Sequence, residues 1–460
     1  MIDQSFPLET VLFASARASA HFALRCLEPI GRHLRACSSF VTPQREIMHW
    51  HDFGDLEGPG WAANAVGGAH LLYRWGRFID DPEVQSQALA LLDHVLEDGF
   101  INGETGFIWP YYDLAAGRFC ANYVHRDDWL CPGSLARIGV QLLEFADDLA
   151  GQRVGGRRRA WGAQGGPARR VAAMVAAARN LGTWLAAHTP LCENGWVPRR
   201  ITLTGEPYPL TPDGRPDPIF DHSGDGLYLL QLYATLSARG LGDYRRQAIA
   251  LGEAFLAAGG CWGSVNHDTY DDHENVAYAI AARVLQQAAD ALSQPAWRDF
   301  ALQTALPGLA RFQMREDRHG VATAGLLWME ESWRTAYLWE NAEAALAFLE
   351  AWSVVGEPSD RDTALSILSA IARHHHGDEG FLTEGVDWDN HVTPQHHIDG
   401  ALYGDIRYTE PLLNNLHVLA PTLYYFARIG YRPPTDLDDA AALAIVHELS
   451  AQSRSSQASF

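Results

Sequence analysis

Acids, histidines and aromatic residues gather in a few short segments of this 460-residue chain. Asp221, His222 and Asp225 form one group; His267, Asp271, Asp272, His273, Glu274 and Asn275, with Tyr270 among them, form a denser one. Glu330, Glu331, Trp333 and Arg334 follow, and a last run holds Trp388, Asp389, His396, His397, Asp399, Tyr403, Asp405, Arg407 and Glu410. Nearer the start lie Asp52, Asp55 and Glu57, then Trp61 and Asn64, and a further cluster of His125, Asp127, Asp128 and Trp129. A single acid at a helix start is explained as a cap or a partner of the helix dipole. Asp271 to Glu274 supplies three acids and a histidine, more than capping uses.

Acids and amides beside aromatic rings are the chemistry of sugar recognition: rings cover the apolar faces of a pyranose while carboxylates and amides bind its hydroxyls. Hydrolysis of a glycosidic bond needs two carboxyl groups, one protonated to assist the leaving group and one ionised. The candidates are Asp225, Asp272, Glu274, Glu331 and Glu410, with Glu274 and Glu331 favoured because each opens a helix of consecutive hairpins. An acid crowded by others has a raised pKa, which suits the proton donor. Expected binding residues are Trp61, Asn64, His125, Asp128, Trp129, His222, Tyr270, His273 and Asn275, followed by Trp333, Arg334, Trp388, His396, His397, Tyr403, Arg407 and Glu410. Arg126, Arg199 and Arg200 also fall near the clusters, and a uronate carboxylate is a suitable bidentate partner for such arginines.

These segments sit between helices. Asp81-Pro82-Glu83 and Thr409-Glu410-Pro411 read as helix starts, and Gly99, Gly151, Gly240, Gly259, Gly356 and Gly430 as stops. Twelve helices result: 8 to 38, 61 to 78, 83 to 98, 133 to 150, 168 to 188, 224 to 239, 243 to 258, 273 to 292, 297 to 316, 335 to 355, 360 to 376 and 409 to 429. Their connections alternate between short and long, so the two kinds lie at opposite ends of a ring. Helices after long loops mix small, aromatic and polar residues and are expected inside; the others are amphipathic and belong outside. From Arg334, Tyr337 and Asn341 fall on one face, as do Asn414 and His417 from Glu410. Ile201 to Leu210 and Phe107 to Asp113 read as hairpin excursions. The expected fold is all-α, a single (α/α)6 toroid over residues 1–430 with a C-terminal extension at 431–460. An α-solenoid is the structural rival.

Composition narrows the function. With 47% hydrophobic residues and 20% charged, the chain is ordinary globular protein. A net charge of −21 argues against nucleic acid and anionic membrane as partners. The one basic cluster, Arg153, Arg157, Arg158, Arg159, Arg169 and Arg170, borders a Gly-rich stretch expected to be a mobile surface loop. The start, MIDQSFPLET, lacks the basic and apolar regions of a secretory signal, and no apolar run reaches 18 residues, so a cytoplasmic protein is expected. Six cysteines without a CxxC pair fit reduced thiols. His374-His375-His376 and the run from His391 to Asp399 lack metal-site spacing, the triple histidine reading as the last turn of a helix, so no metal or cofactor is expected.

Twelve helices in this alternation, with an acid- and aromatic-rich mouth, resemble the (α/α)6-barrel carbohydrate-active enzymes, in particular unsaturated-glucuronyl hydrolases, β-glucuronidases and related exo-acting glycosidases. The resemblance is one of organisation and carries over no catalytic residue. It implies a glycosidase acting on a small glycoside or oligosaccharide, as monomer or homodimer. Polysaccharide lyases and sugar epimerases share the fold and abstract a proton with Tyr or His while Arg or Asn neutralises the acid. His222, Tyr270, His397, Tyr403 and Arg407 are the residues for that alternative. A non-enzymatic helical scaffold is the third reading.

Overall fold

The computed structural model describes residues 6–49, 54–124, 126, 129–151, 153–154, 157–158, 166–389 and 391–457. Its helices are α1 (Leu8–Arg25), α2 (Ala65–Phe78), α3 (Pro82–Glu97), α4 (Pro132–Ala150), α5 (Gly166–His188), α6 (Gly226–Ala238), α7 (Arg245–Ala257) and α8 (Asn275–Leu292). They continue as α9 (Pro295–Phe300), α10 (Leu306–Ala310), α11 (Leu338–Val355), α12 (Pro358–Ile371), α13 (Asn414–His417), α14 (Leu419–Ile429) and α15 (Asp439–Gln457).

Two pairs of these are single rods. A π-helical turn, Ala301–Ala305, joins α9 to α10, and it lies just before Pro307, whose missing N–H interrupts the regular ladder. Likewise α13 and α14 meet at Val418.

The ring closes. Contacts run from α2 to α4, α6, α8, α11 and the α13/α14 rod, and that rod returns to α2. A solenoid has no such return. Each inner helix pairs with an outer one: α2 with α3, α4 with α5, α6 with α7, α8 with the α9/α10 rod, α11 with α12, and α14 with α1. The inner six are those entered from long connections, as their composition requires. α11 is buried on nearly every side, with Ala342, Ala344, Ala345, Leu346 and Leu349 inside together with Glu340, Asn341 and Glu343, because neighbours surround it. By contrast α3 buries one stripe, Val84, Ala88, Leu91, Leu92 and Val95, and Asp81 caps it by accepting from the amides of Glu83 and Val84 at 2.8 and 3.2 Å. Inner helices approach closely where side chains vanish. A Cβ at Gly133 would lie 2.0 Å from the Asp225 carbonyl oxygen, so only glycine admits the start of α6 at that point.

Several boundaries differ from the sequence expectation. The first helix ends at Arg25 rather than near 38, because Pro29 and Gly31 (φ 57°) turn the chain into a hairpin pairing Leu27–Ile30 with His33–Ala36. α12 stops at Ile371, so the triple histidine is not helical: His375–His376 pairs with Phe381–Leu382. Tyr111–Asp113 lies between Leu56–Glu57 and Arg118–Cys120 in a three-stranded sheet, and a second one joins Thr335–Tyr337, Gly385–Asp387 and Gly404–Asp405. Around Ile201 there are only isolated bridges, to Leu130 and Pro207. The C-terminal α15 packs on α1 through Ala442, Val446 and Leu449 against Val11, Ala14 and Ala18.

Of the Gly-rich basic loop, 152, 155–156 and 159–165 lie outside the described residues; Arg169 and Arg170 pair with Glu97 and Asp93. All six cysteines are free thiols. No described helix is long and apolar enough to cross a membrane.

Candidate active site

The N-terminal ends of α8, α11 and α13 converge at the long-loop mouth, and the segments that precede them supply a cavity. Trp61, Tyr123, Trp333, Tyr337 and Trp339 form its aromatic walls, with Phe40, Ala62 and Met329 completing them. Its polar groups are Asn266, Asp268, Glu384 and Glu410. Among the described residues no histidine, arginine or lysine lines it.

Behind the wall a further set of acids is wired to the same loop. The Asn266 amide donates to Glu274 at 2.7 Å and to Glu340 at 2.8 Å, so one NH2 group tethers two carboxyls. Glu274 also accepts from the Val265 amide, and Glu330 is hydrogen-bonded to the Ser264 hydroxyl at 2.6 Å. Glu274, Glu330 and Glu340 are each fully buried, Glu384 and Glu410 nearly so. Burial disfavours the charged form and crowding adds to it. Glu274 is pushed up to about 7 chiefly by burial, and Glu330 to about 9 by burial and then by the charge of Glu274. Burial takes Glu410 to about 8, against the opposing hydrogen bond from Asn414. Glu384 is raised well above the usual range by burial and next by Glu410.

Asp268 differs. Burial leaves its pKa raised too, but a backbone hydrogen bond and then the guanidiniums of Arg199 and Arg200 limit the rise. These two arginines lie on the far side of the 266–270 loop, both fully buried. Arg199 donates to the carbonyls of Asn266 and Thr269, and Arg200 to the carbonyl of His267 at 2.6 Å and to the Tyr270 hydroxyl at 3.1 Å. Asp217 answers both, 3.6 Å from Arg199 and in direct contact with Arg200. The loop bearing Asp268 is thus held by a cationic clamp.

No protein-family model matches the sequence, and neither does any curated protein. Solved structures do match. The chain superposes on a D-mannose isomerase with a TM-score of 0.60 at 10% identity, over 92% of this chain and 100% of that one. A cellobiose 2-epimerase from Bacillus thermoamylovorans matches at 0.59 with 12% identity, over 88% and 95%, and a GH76 α-mannanase of Bacteroides thetaiotaomicron at 0.55 with 9% identity, over 91% and 97%. The fold is the (α/α)6 barrel.

On this barrel the sequence-derived residues separate. Trp61, Trp333 and Glu410 line the cavity; Glu274 and Asn275 stand directly behind it, Asn275 donating to the Trp328 carbonyl at 2.8 Å. Glu331 is exposed and shares an outer groove with Arg334 and Trp388, so it does not face Glu274. The chain turns at Glu330, and it is that residue which points inward. Asp272 is exposed and bonds His222 at 3.2 Å. Asp225 is buried under the loop, bonded to Ser134, which in turn reaches His267 at 2.7 Å; burial pushes it up to about 6.

The remaining residues have structural partners. Asn64 joins the Leu412 carbonyl and Gln141, Trp129 lies under Arg200, and Tyr270 receives Arg200. His273 contacts the Tyr278 hydroxyl, His397 contacts Asp387, and His396 packs edge-on to Tyr408. Arg407 reaches the Gln395 carbonyl, Arg126 pairs with Asp113, and Tyr403 borders a separate pocket with His374, His376 and Asp405. Asp52, His125, Asp127 and Asp128 lie outside the described residues.

Sequence reasoning missed Asp268, Glu384, Asn266 and Tyr123 as lining residues. Asp268 was hidden in an acid-rich run, and Glu384 sits alone after Phe381-Leu382-Thr383, at the long-loop position the helix count marks as inward. One further cluster carries potential ligands: His33, His94 and Asp98 have donor atoms within 4.8 Å of one another. Both His94 nitrogens are engaged, by Glu57 at 2.9 Å and Asp98 at 2.8 Å, and despite burial these acids raise its pKa. That is the pattern of an imidazolium between two carboxylates.

The buried acids set a pH dependence. A carboxyl whose pKa is raised in the fold favours folding below its unfolded value near 4.3, and that contribution disappears as pH rises through the folded value. With Glu274 at about 7, Glu410 at about 8 and Glu330 at about 9, the window runs from pH 5 to 9. Thermal unfolding followed by calorimetry is expected to show Tm falling steadily across that window. A Tm that rises from pH 5 to 8 would contradict protonated acids at this site.

Proposed function

We propose that the chain is a glycoside hydrolase acting on a neutral glycoside or short oligosaccharide. Glu384 serves as the proton donor, Asp268 as the ionised base or nucleophile, and Glu410 as a neutral hydrogen-bonding neighbour. The observation that carries this reading is the lining: three carboxyl groups and aromatic faces, with no described cation. Two acids with separated pKa values are what glycosidic cleavage uses, one protonated at the leaving oxygen and one ionised across the bond. Burial and then the charge of Glu410 raise Glu384 well above the usual carboxyl range, whereas at Asp268 the Arg199 and Arg200 charges oppose the rise that burial causes. The aromatic walls suit pyranose faces. A uronate, anionic itself, meets acids there rather than arginines, which favours an uncharged sugar.

Sugar epimerisation is the second reading, because a cellobiose 2-epimerase and a D-mannose isomerase are among the structures sharing the fold. Tyr123 and Tyr337 would then have to move the proton, with no described cation at hand to stabilise an enolate. Incubating the purified protein with chromogenic hexosides and glucuronides, and separately with cellobiose and mannose, discriminates. Release of the aglycone from neutral hexosides is expected. Formation of a C2 epimer without release, or of an ultraviolet-absorbing unsaturated product, would replace hydrolysis with epimerisation or elimination.

A further inference from the structure

The barrel axis holds a second chamber. It runs from the middle of the inner helices toward the short connections, where it is open, and has a cavity volume of about 110 Å3. A layer of Trp61, Tyr228 and Trp339 separates it from the cavity above, Trp61 meeting Trp339 edge-on at 5.1 Å and Tyr228 at 5.9 Å. Beneath Trp61, on α4, lies Arg137, with its guanidinium 4.5 Å from the indole centroid and 6.0 Å from the Tyr228 ring.

Charges in this chamber are otherwise matched. Arg283 pairs with Glu343 and Glu350, His417 with Glu343, and His70 and Arg74 with Asp148. Glu144 is exposed at the mouth. Arg137 stands apart: it is 6% exposed, yet among the described residues no group takes a hydrogen bond or ion pair from it. A buried cation without a counter-charge is costly, and an aliphatic side chain would pack on Trp61 without that cost. Stacking uses only the face of a guanidinium. Its five N–H donors lie in the plane, in the fork that fits carboxylate or phosphate.

We propose that this lower chamber is a binding site for a small organic oxyanion, received by Arg137 with the Gln141 and Gln231 amides beside it. The site is independent of the chemistry in the upper cavity, although Trp61, which lines that cavity, packs on Arg137.

Calorimetric titration of the full chain at fixed ionic strength, with inorganic phosphate in one arm and gluconate in the other, tests this. Saturable one-to-one binding of at least one anion is expected, weakened tenfold or more by Arg137→Gln. Phosphate alone would assign a phosphate ligand, gluconate alone a hydroxy-carboxylate. Arg137→Lys keeps the charge without the fork and is expected to weaken binding severalfold, which keeps the test open if the glutamine variant misfolds. Binding of neither anion, or equal binding by wild type and both variants, would overturn the proposal.

Discussion

Glu384→Gln is expected to lower kcat on a neutral glycoside by about a thousandfold, within the range that removal of a general acid gives, with little change in KM. Glutamine keeps the shape and loses the transferable proton. Because burial and Glu410 favour the neutral form of Glu384, the amide removes no favourable charge, and Tm at pH 7 should hold or rise. Asp268→Asn should cost a comparable factor, since it removes the group that the Arg199 and Arg200 charges favour as a carboxylate. Glu331→Gln is the comparison: the residue is exposed in the outer groove, and its amide should change kcat less than threefold. Steady-state kinetics on the three variants decides the assignment. Full activity in Glu384→Gln, or a large loss in Glu331→Gln, would move the catalytic pair away from the cavity.

The contrast between Glu384 and Glu331 shows what was legible in the sequence and where it stopped. The ring was legible because it depends on helix length, apolar pattern and the alternation of short and long connections, all of which are local. Which end carries the polar groups followed from the same alternation. The direction in which one side chain of an acidic pair points was not local. Glu330 turns in and Glu331 out because the chain between Met329 and Thr335 makes a turn in which the Trp333 amide reaches the Glu330 carbonyl, at 3.2 Å, and a polar run of letters does not encode that turn. Arg199 and Arg200 illustrate the same limit. Their proximity to the mouth was readable, but their burial behind the 266–270 loop depends on Asp217, a residue that no pattern singled out. Glu384 was overlooked for the opposite reason, being an isolated acid where clustering was the criterion.

That clamp yields the second large effect. Asp217→Ala is expected to destabilise the protein by about 3–5 kcal/mol, the usual cost of removing one partner from a buried ion pair. Arg199 and Arg200 have side chains with no exposure, and Asp217 is the only anion the described structure places against them. The backbone carbonyls of 266, 267 and 269 would still accept their hydrogen bonds, but carbonyl dipoles do not replace a full charge. For a chain of this length the loss corresponds to a fall in Tm of about 4 °C. Activity should fall with it: the 266–270 loop carries both Asp268 and Asn266, and Asn266 in turn ties Glu274 and Glu340. Asp217→Asn, which retains an acceptor but no charge, should fall between wild type and alanine in both measurements. Loss of stability with kcat intact would show that the loop holds its catalytic geometry without the clamp. Loss of kcat with Tm unchanged would mean that the arginines remain solvated by other groups and that Asp217 acts on Asp268 through its charge alone.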